Sequence, residues 1–132
     1  MPEADFMAAL EAHAFVLCVE GGGLDPSPKA WSALLHGAIP IIRDSPLVPA
    51  YARLPVVVVA DWHEGALCPA KLARWHAALR PWFDDPDARP EVLHRLSGDY
   101  WWRLIAGARP LEGSGALARL PVPSGGIVEA RA

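Results

Sequence analysis

Three short apolar runs constrain this chain more than any other feature: residues 14–19 (AFVLCV), 38–42 (AIPII) and 56–60 (VVVVA). Each is continuously apolar and bounded by turn-forming residues, the pattern of a strand buried on both faces. The valine run admits no helical reading, because β-branched side chains favour the pleated backbone. Between and after the runs the period changes to helical. Trp31, Leu34 and Leu35 fall on one stripe of residues 29–36, with Ser27 as N-cap, Pro28 in the first turn and Gly37 as terminator. Residues 6–11 read as a short helix, and so does part of the polar stretch 43–55. Two longer helices are expected at residues 69–83 and 90–105. Alternating strands and helices imply βαβ crossovers and a parallel sheet.

Beyond Ala106 the chain is rich in Gly, Pro, Ala and Arg without a sustained period, which reads as a disordered tail over residues 107–132. The expected organisation is therefore one α/β domain over 1–106, with about three parallel strands, crossover helices and a C-terminal helical pair. Three strands are few for a free-standing domain of this class, which suggests an incomplete domain.

Composition narrows the function classes. A formal net charge of -3 gives no electrostatic reason to expect nucleic acid or an anionic membrane. No apolar run approaches the ~20 residues of a membrane span, and the acidic start is unlike a signal peptide. The sequence as it stands reads as cytoplasmic; a targeting segment on a longer parent chain would make it Golgi or membrane-associated. Cys18 and Cys68 suggest neither a disulfide framework nor a metal site, and no cofactor is expected.

The chemistry concentrates in the loop after the first run. Gly21, Gly22 and Gly23 let backbone N–H groups approach a ligand closely, and the next helix points its positive end at that loop. Lys29 sits in the first helical turn, where a cation opposes the helix dipole; an anion at that terminus accounts for it. Glu20 is either a ligand contact or a solvated strand end, and Asp25 either a ligand contact or an Asx turn before Pro26. Arg43, Asp44 and Ser45 follow the second strand and can line the cleft or form a surface loop. His36 complements its helix C-terminus. The tryptophans at helical spacing read as core, or as surface that packs on another domain. Asp84 and Asp85 read as helix caps in a polar linker.

The ordered series Phe15, Glu20, Gly21, Gly23, Asp25, Trp31, Ala33, Leu34, Gly37, Ile39, Pro40, Ile41, Ser45, Pro46, Leu54, Pro55, Asp61 and Trp62, with DYWWRLI at 99–105, resembles the C-terminal half of exostosin-like glycosyltransferases of the two-domain GT-B fold. The resemblance covers residues 14–105. It implies a Rossmann-like half-domain that binds a nucleotide sugar and transfers the sugar to a glycan or glycoprotein acceptor when completed by an N-terminal domain. The implied donor site is Glu20, Gly21, Gly22, Gly23, Asp25, Lys29, Ser32 and Ser45. Lys29 stands where arginine is usual for the phosphate contact, and Ser32 where glutamate is usual for the ribose. A non-catalytic nucleotide- or protein-binding module is the competing reading, and no catalytic base is visible.

Overall fold

The computed structural model describes residues 1–21, 27–107 and 127–129. Its elements are α1 (Glu3–Ala12), β1 (Phe15–Leu17), α2 (Pro28–His36), β2 (Ile39–Arg43), a 3-10 turn at Val48–Tyr51, β3 (Val57–Val59), a second 3-10 turn at Glu64–Ala66, α3 (Pro69–Leu79), α4 (Pro81–Asp84), α5 (Arg89–Leu96), α6 (Gly98–Ile105) and β4 (Ile127–Val128). The strands form one parallel sheet in the order β1-β2-β3-β4. The protein is thus an α/β fold built on a parallel sheet.

Each apolar run supplies a strand: β1 and β3 are shorter than their runs, and β2 has the length of its run shifted one residue along. Phe15 pairs with Ile39, and Ile41 pairs with both Leu17 and Val57. Pairing continues past the strand ends, because Cys18 N–H donates to Ile41 O at 2.9 Å and Asp44 N–H to Val59 O at 2.8 Å. Ile39, Ile41, Val56, Val57, Val58, Trp75, Leu79 and Val92 are almost wholly buried in one core. β1 is an edge strand among the described residues, with Leu17 and Val19 about half exposed.

α2 forms where its end signals place it. Gly37 adopts φ +88, the left-handed conformation that closes a helix without a Cβ penalty. Ala30, Ala33 and Leu34 bury one stripe, and the helix packs on β1, β2, α1 and α5. Its carbonyl end is held from outside: Arg89 donates to Leu34 O and Leu35 O at 2.7 and 2.8 Å, and Arg80 to Gly37 O at 2.9 Å. Both guanidiniums flank the Phe83 ring and complement the negative end of the helix dipole.

Three expectations change. The C-terminal helical pair is four helices, α3 to α6. Pro81, which has no N–H to continue a helix, opens α4. Ser97 turns extended at ψ 152, ends α5 and caps α6 by accepting from Tyr100 N–H. The helix expected within 43–55 is one 3-10 turn. Finally, the segment read as a disordered tail contributes β4, so the sheet has a fourth strand. There the Glu129 N–H donates to Val58 O, and its carboxylate accepts from Trp75 Nε1 at 2.8 Å and pairs with Arg74. The intervening residues 108–126 lie outside the described residues.

The tryptophans divide as their spacing allows. Trp75 and Trp82 are core, Trp31 is partly buried against it, and Trp102 is 70% exposed. Asp85 Oδ1 accepts from Asp87 N and Ala88 N, while Asp84 pairs with Arg80; both act locally around the α4–α5 linker. No helix among the described residues is long and apolar enough to cross a membrane.

Candidate functional site

The carboxyl ends of β1, β2 and β3 lie side by side, and the residues that follow each strand meet there. β1 leads to Glu20, β2 ends on Arg43 and β3 leads to Asp61. Arg43 Nε donates to Glu20 Oε1 at 3.3 Å, and Arg43 Nη1 lies 3.7 Å from Asp61 Oδ1. Asp61 is itself fixed, since the same Oδ1 accepts from Trp62 N–H at 2.8 Å. One guanidinium thus bridges two carboxylates across three strand ends.

Beside this bridge lies a small cleft lined by Cys18, Glu20, Ser27, Ile42, Arg43, Ser45, Leu47 and Tyr51. Ser45 belongs to the turn into the 3-10 segment, where its hydroxyl accepts from Leu47 N–H at 3.2 Å. Ser27 precedes α2, and its side chain makes no capping hydrogen bond. Lys29 is exposed in the first turn of α2, which holds no acidic residue. Its charge reaches the cleft, because it favours ionisation of Cys18. Burial outweighs that effect and pushes the Cys18 thiol up to about 12, so it remains protonated and is no nucleophile at neutral pH. Burial also raises Tyr51, as does the neighbouring Cys18, while a hydrogen bond from the Ser27 backbone acts the other way. The Tyr51 hydroxyl is therefore a neutral donor in the cleft wall.

Of the expected site residues the structure brings Glu20 and Ser45 to one cleft; Lys29 is exposed nearby on α2 and does not line it. Ser32 is half-buried on α2, one turn on from Lys29. Gly21 is exposed, and a Cβ added there meets nothing within 4 Å; no packing demand explains a glycine at that position. Gly22, Gly23 and Asp25 lie outside the described residues. His36 Nδ1 donates to Glu11 Oε1, 3.0 Å away on α1, and so braces α1 rather than the cleft. The bridging role of Arg43 with Asp61 is what sequence reading missed. The available signal was positional: both residues close adjacent parallel strands, so their side chains emerge at one edge.

The cleft volume is about 20 Å³, room for a water and not for a diphosphate. A larger groove of about 210 Å³ lies between the first 3-10 turn and α6, lined by Pro49, Ala50, Leu54, Tyr100, Trp101 and Leu104 with Arg53 and Arg95. It is less suited to chemistry: Arg95 is committed to Glu91 and to Arg53 O, and the rest of the lining is mainly apolar. A chain of ring contacts joins the two concavities, from Tyr51 to Trp31 at 5.5 Å and from Trp31 to Trp101 at 6.1 Å. Among the described residues no group of three His, Cys, Asp or Glu side chains is placed to hold a metal ion. The described strand order runs in one direction without reversal, so the cleft lies at the carboxyl edge of the sheet but not at a switch point.

Compared with family models, curated proteins and solved structures, the chain matches none.

Proposed function

We propose that this chain is the donor-binding domain of an exostosin-like, GT-B-type glycosyltransferase, which moves a sugar from a nucleotide donor to a glycan-type acceptor together with a companion domain. The observation that supports it best is the convergence of Glu20, Arg43 and Ser45 with Ser27 where the amino end of α2 meets the carboxyl ends of β1 and β2. A parallel strand, a glycine-containing loop and a helix N-terminus offer backbone N–H groups and a positive dipole to an anion. Lys29 and Arg43 add full charges there. In this reading the domain binds the diphosphate and stabilises it as a leaving group, an electrostatic and positioning contribution. The protected Cys18 and Tyr51 supply no base.

A second reading, a non-catalytic module, draws on the same cleft. It has room for little more than water, and Arg43 already answers two carboxylates. Titration of the full chain with UDP, GDP and ADP, followed by NMR, separates the two. The donor-binding reading expects saturable shifts at Glu20, Gly21 and the first turn of α2. Lys29→Ala is expected to weaken affinity about three- to tenfold, the effect of losing one charge contact of ~1 kcal/mol. A folded chain that binds none of the three nucleotides overturns the reading in favour of the module.

A further inference from the structure

The bridge between Glu20, Arg43 and Asp61 is hard to explain as a device for stability. Arg43 is 43% exposed and Asp61 71% exposed, and ion pairs in such surroundings add little to folding. Yet β2 is buried along four residues and releases its first exposed side chain at Arg43. The strand therefore delivers a guanidinium to the rim of the cleft, beside Ser27 and Ser45. Its Nε faces Glu20 and its Nη1 faces Asp61.

We propose that Arg43 is the anchor for the ligand's diphosphate, with Glu20 and Asp61 holding the guanidinium in position while that anion is absent. This rests on the donor-binding reading above. A guanidinium presents a planar fork that matches two phosphate oxygens at once, whereas an ammonium such as that of Lys29 is a single point charge on a flexible stem. A strand end is also a firmer mount than the first turn of a helix beside a loop. The arrangement makes the ligand and Glu20 competitors for one cation. A dianionic oxygen cluster outcompetes each single, solvent-exposed carboxylate, and it frees Glu20 to turn away from the cleft.

Competition predicts an inverted sign. If Arg43 anchors the diphosphate, Glu20→Gln and Asp61→Asn each tighten binding, by about two- to fivefold at low salt, because each removes a rival for the guanidinium. If instead Glu20 itself contacts the donor, Glu20→Gln weakens binding. The experiment is an NMR titration of the full chain with UDP, GDP, ADP and inorganic pyrophosphate, for the wild type, Arg43→Ala, Arg43→Lys, Glu20→Gln, Asp61→Asn and the double variant Glu20→Gln/Asp61→Asn. The proposal expects Arg43→Ala to lose about tenfold or more, Arg43→Lys to recover part of that loss, and both neutralised carboxylates to tighten binding of nucleotide and pyrophosphate alike. Arg43→Lys keeps charge and stem, so it reports even where the alanine variant folds poorly. Wild-type binding that Arg43→Ala leaves unchanged within twofold, or that Glu20→Gln weakens, overturns the proposal and leaves the donor-binding reading standing. Absence of nucleotide and pyrophosphate binding by the folded wild type overturns both.

Discussion

Two glycines, Gly21 beside the candidate site and Gly37 at the far end of α2, owe their places to different physics. Gly37 sits at φ +88, and a Cβ added there meets nothing within 4 Å, so alanine causes no clash but must enter a left-handed backbone. Gly37→Ala is expected to cost about 1–2 kcal/mol, read as a lower urea midpoint with an unchanged slope. Gly21 has neither a positive φ nor a close neighbour, so Gly21→Ala is expected to leave stability within about 0.5 kcal/mol of wild type. Any loss of nucleotide affinity in that variant then measures how closely the ligand approaches the backbone. A stability loss at Gly21 equal to that at Gly37 contradicts this division. The sequence reads Gly37 as a helix terminator and Gly21 as part of a ligand loop; the backbone angles add that Gly37 alone of the two requires the left-handed region.

At the level of elements, β4 shows a strand held less by its length than by one side chain. Two residues pair with β3, and Val128 is 64% exposed, so that side chain adds little burial. The Glu129 carboxylate instead accepts from Trp75 Nε1 and pairs with Arg74 and Lys71. The Trp75 hydrogen bond first, and the Arg74 and Lys71 charges with it, hold this carboxyl below its ordinary 4.5. A depressed folded pKa means stability that is present above 4.5 and lost as pH falls through the lower folded value. Glu129→Gln is expected to flatten that acid-side decline in urea melts. It is also expected to speed hydrogen exchange of the residue 129 amide about tenfold, with the Cys18 and Ile39 amides unchanged. Uniform acceleration across the sheet contradicts a local latch. This strand was illegible in the sequence, because a Gly-, Pro- and Arg-rich stretch carries no period and the anchoring contacts come from α3, far along the chain. β1 to β3 and α2 were legible for the opposite reason: continuous apolar runs and paired end signals act within a few residues. The breaks at Pro81 and Ser97 carried local signals too, but the apolar spacing runs through them and hides them.

For the molecule as a whole, α2 joins the site to the scaffold. Its amino end and the strand ends form the cleft, while its carbonyl end is clamped by Arg80 and Arg89. Glu20 and Ser45, which line the cleft, were legible as candidates because each lies next to a strand end. The clamp and the Glu20–Arg43–Asp61 bridge were not, since both depend on register and on segments brought together by folding. Two hydrogen bonds from a partly buried guanidinium to helix carbonyls contribute about 1–3 kcal/mol, and burial already lowers the Arg89 pKa, with Arg80 repulsion adding to it. Arg89→Ala is therefore expected to lower unfolding free energy by that amount. The clamp lies at the opposite end of α2 from the cleft, so diphosphate affinity of the folded protein is expected to stay within twofold of wild type. Urea unfolding and nucleotide titration of the same preparation check both halves. Retained stability contradicts the clamp. Full folding with lost affinity shows instead that the position of the carbonyl end is transmitted along the helix, which makes Arg89 a positioning residue for the site.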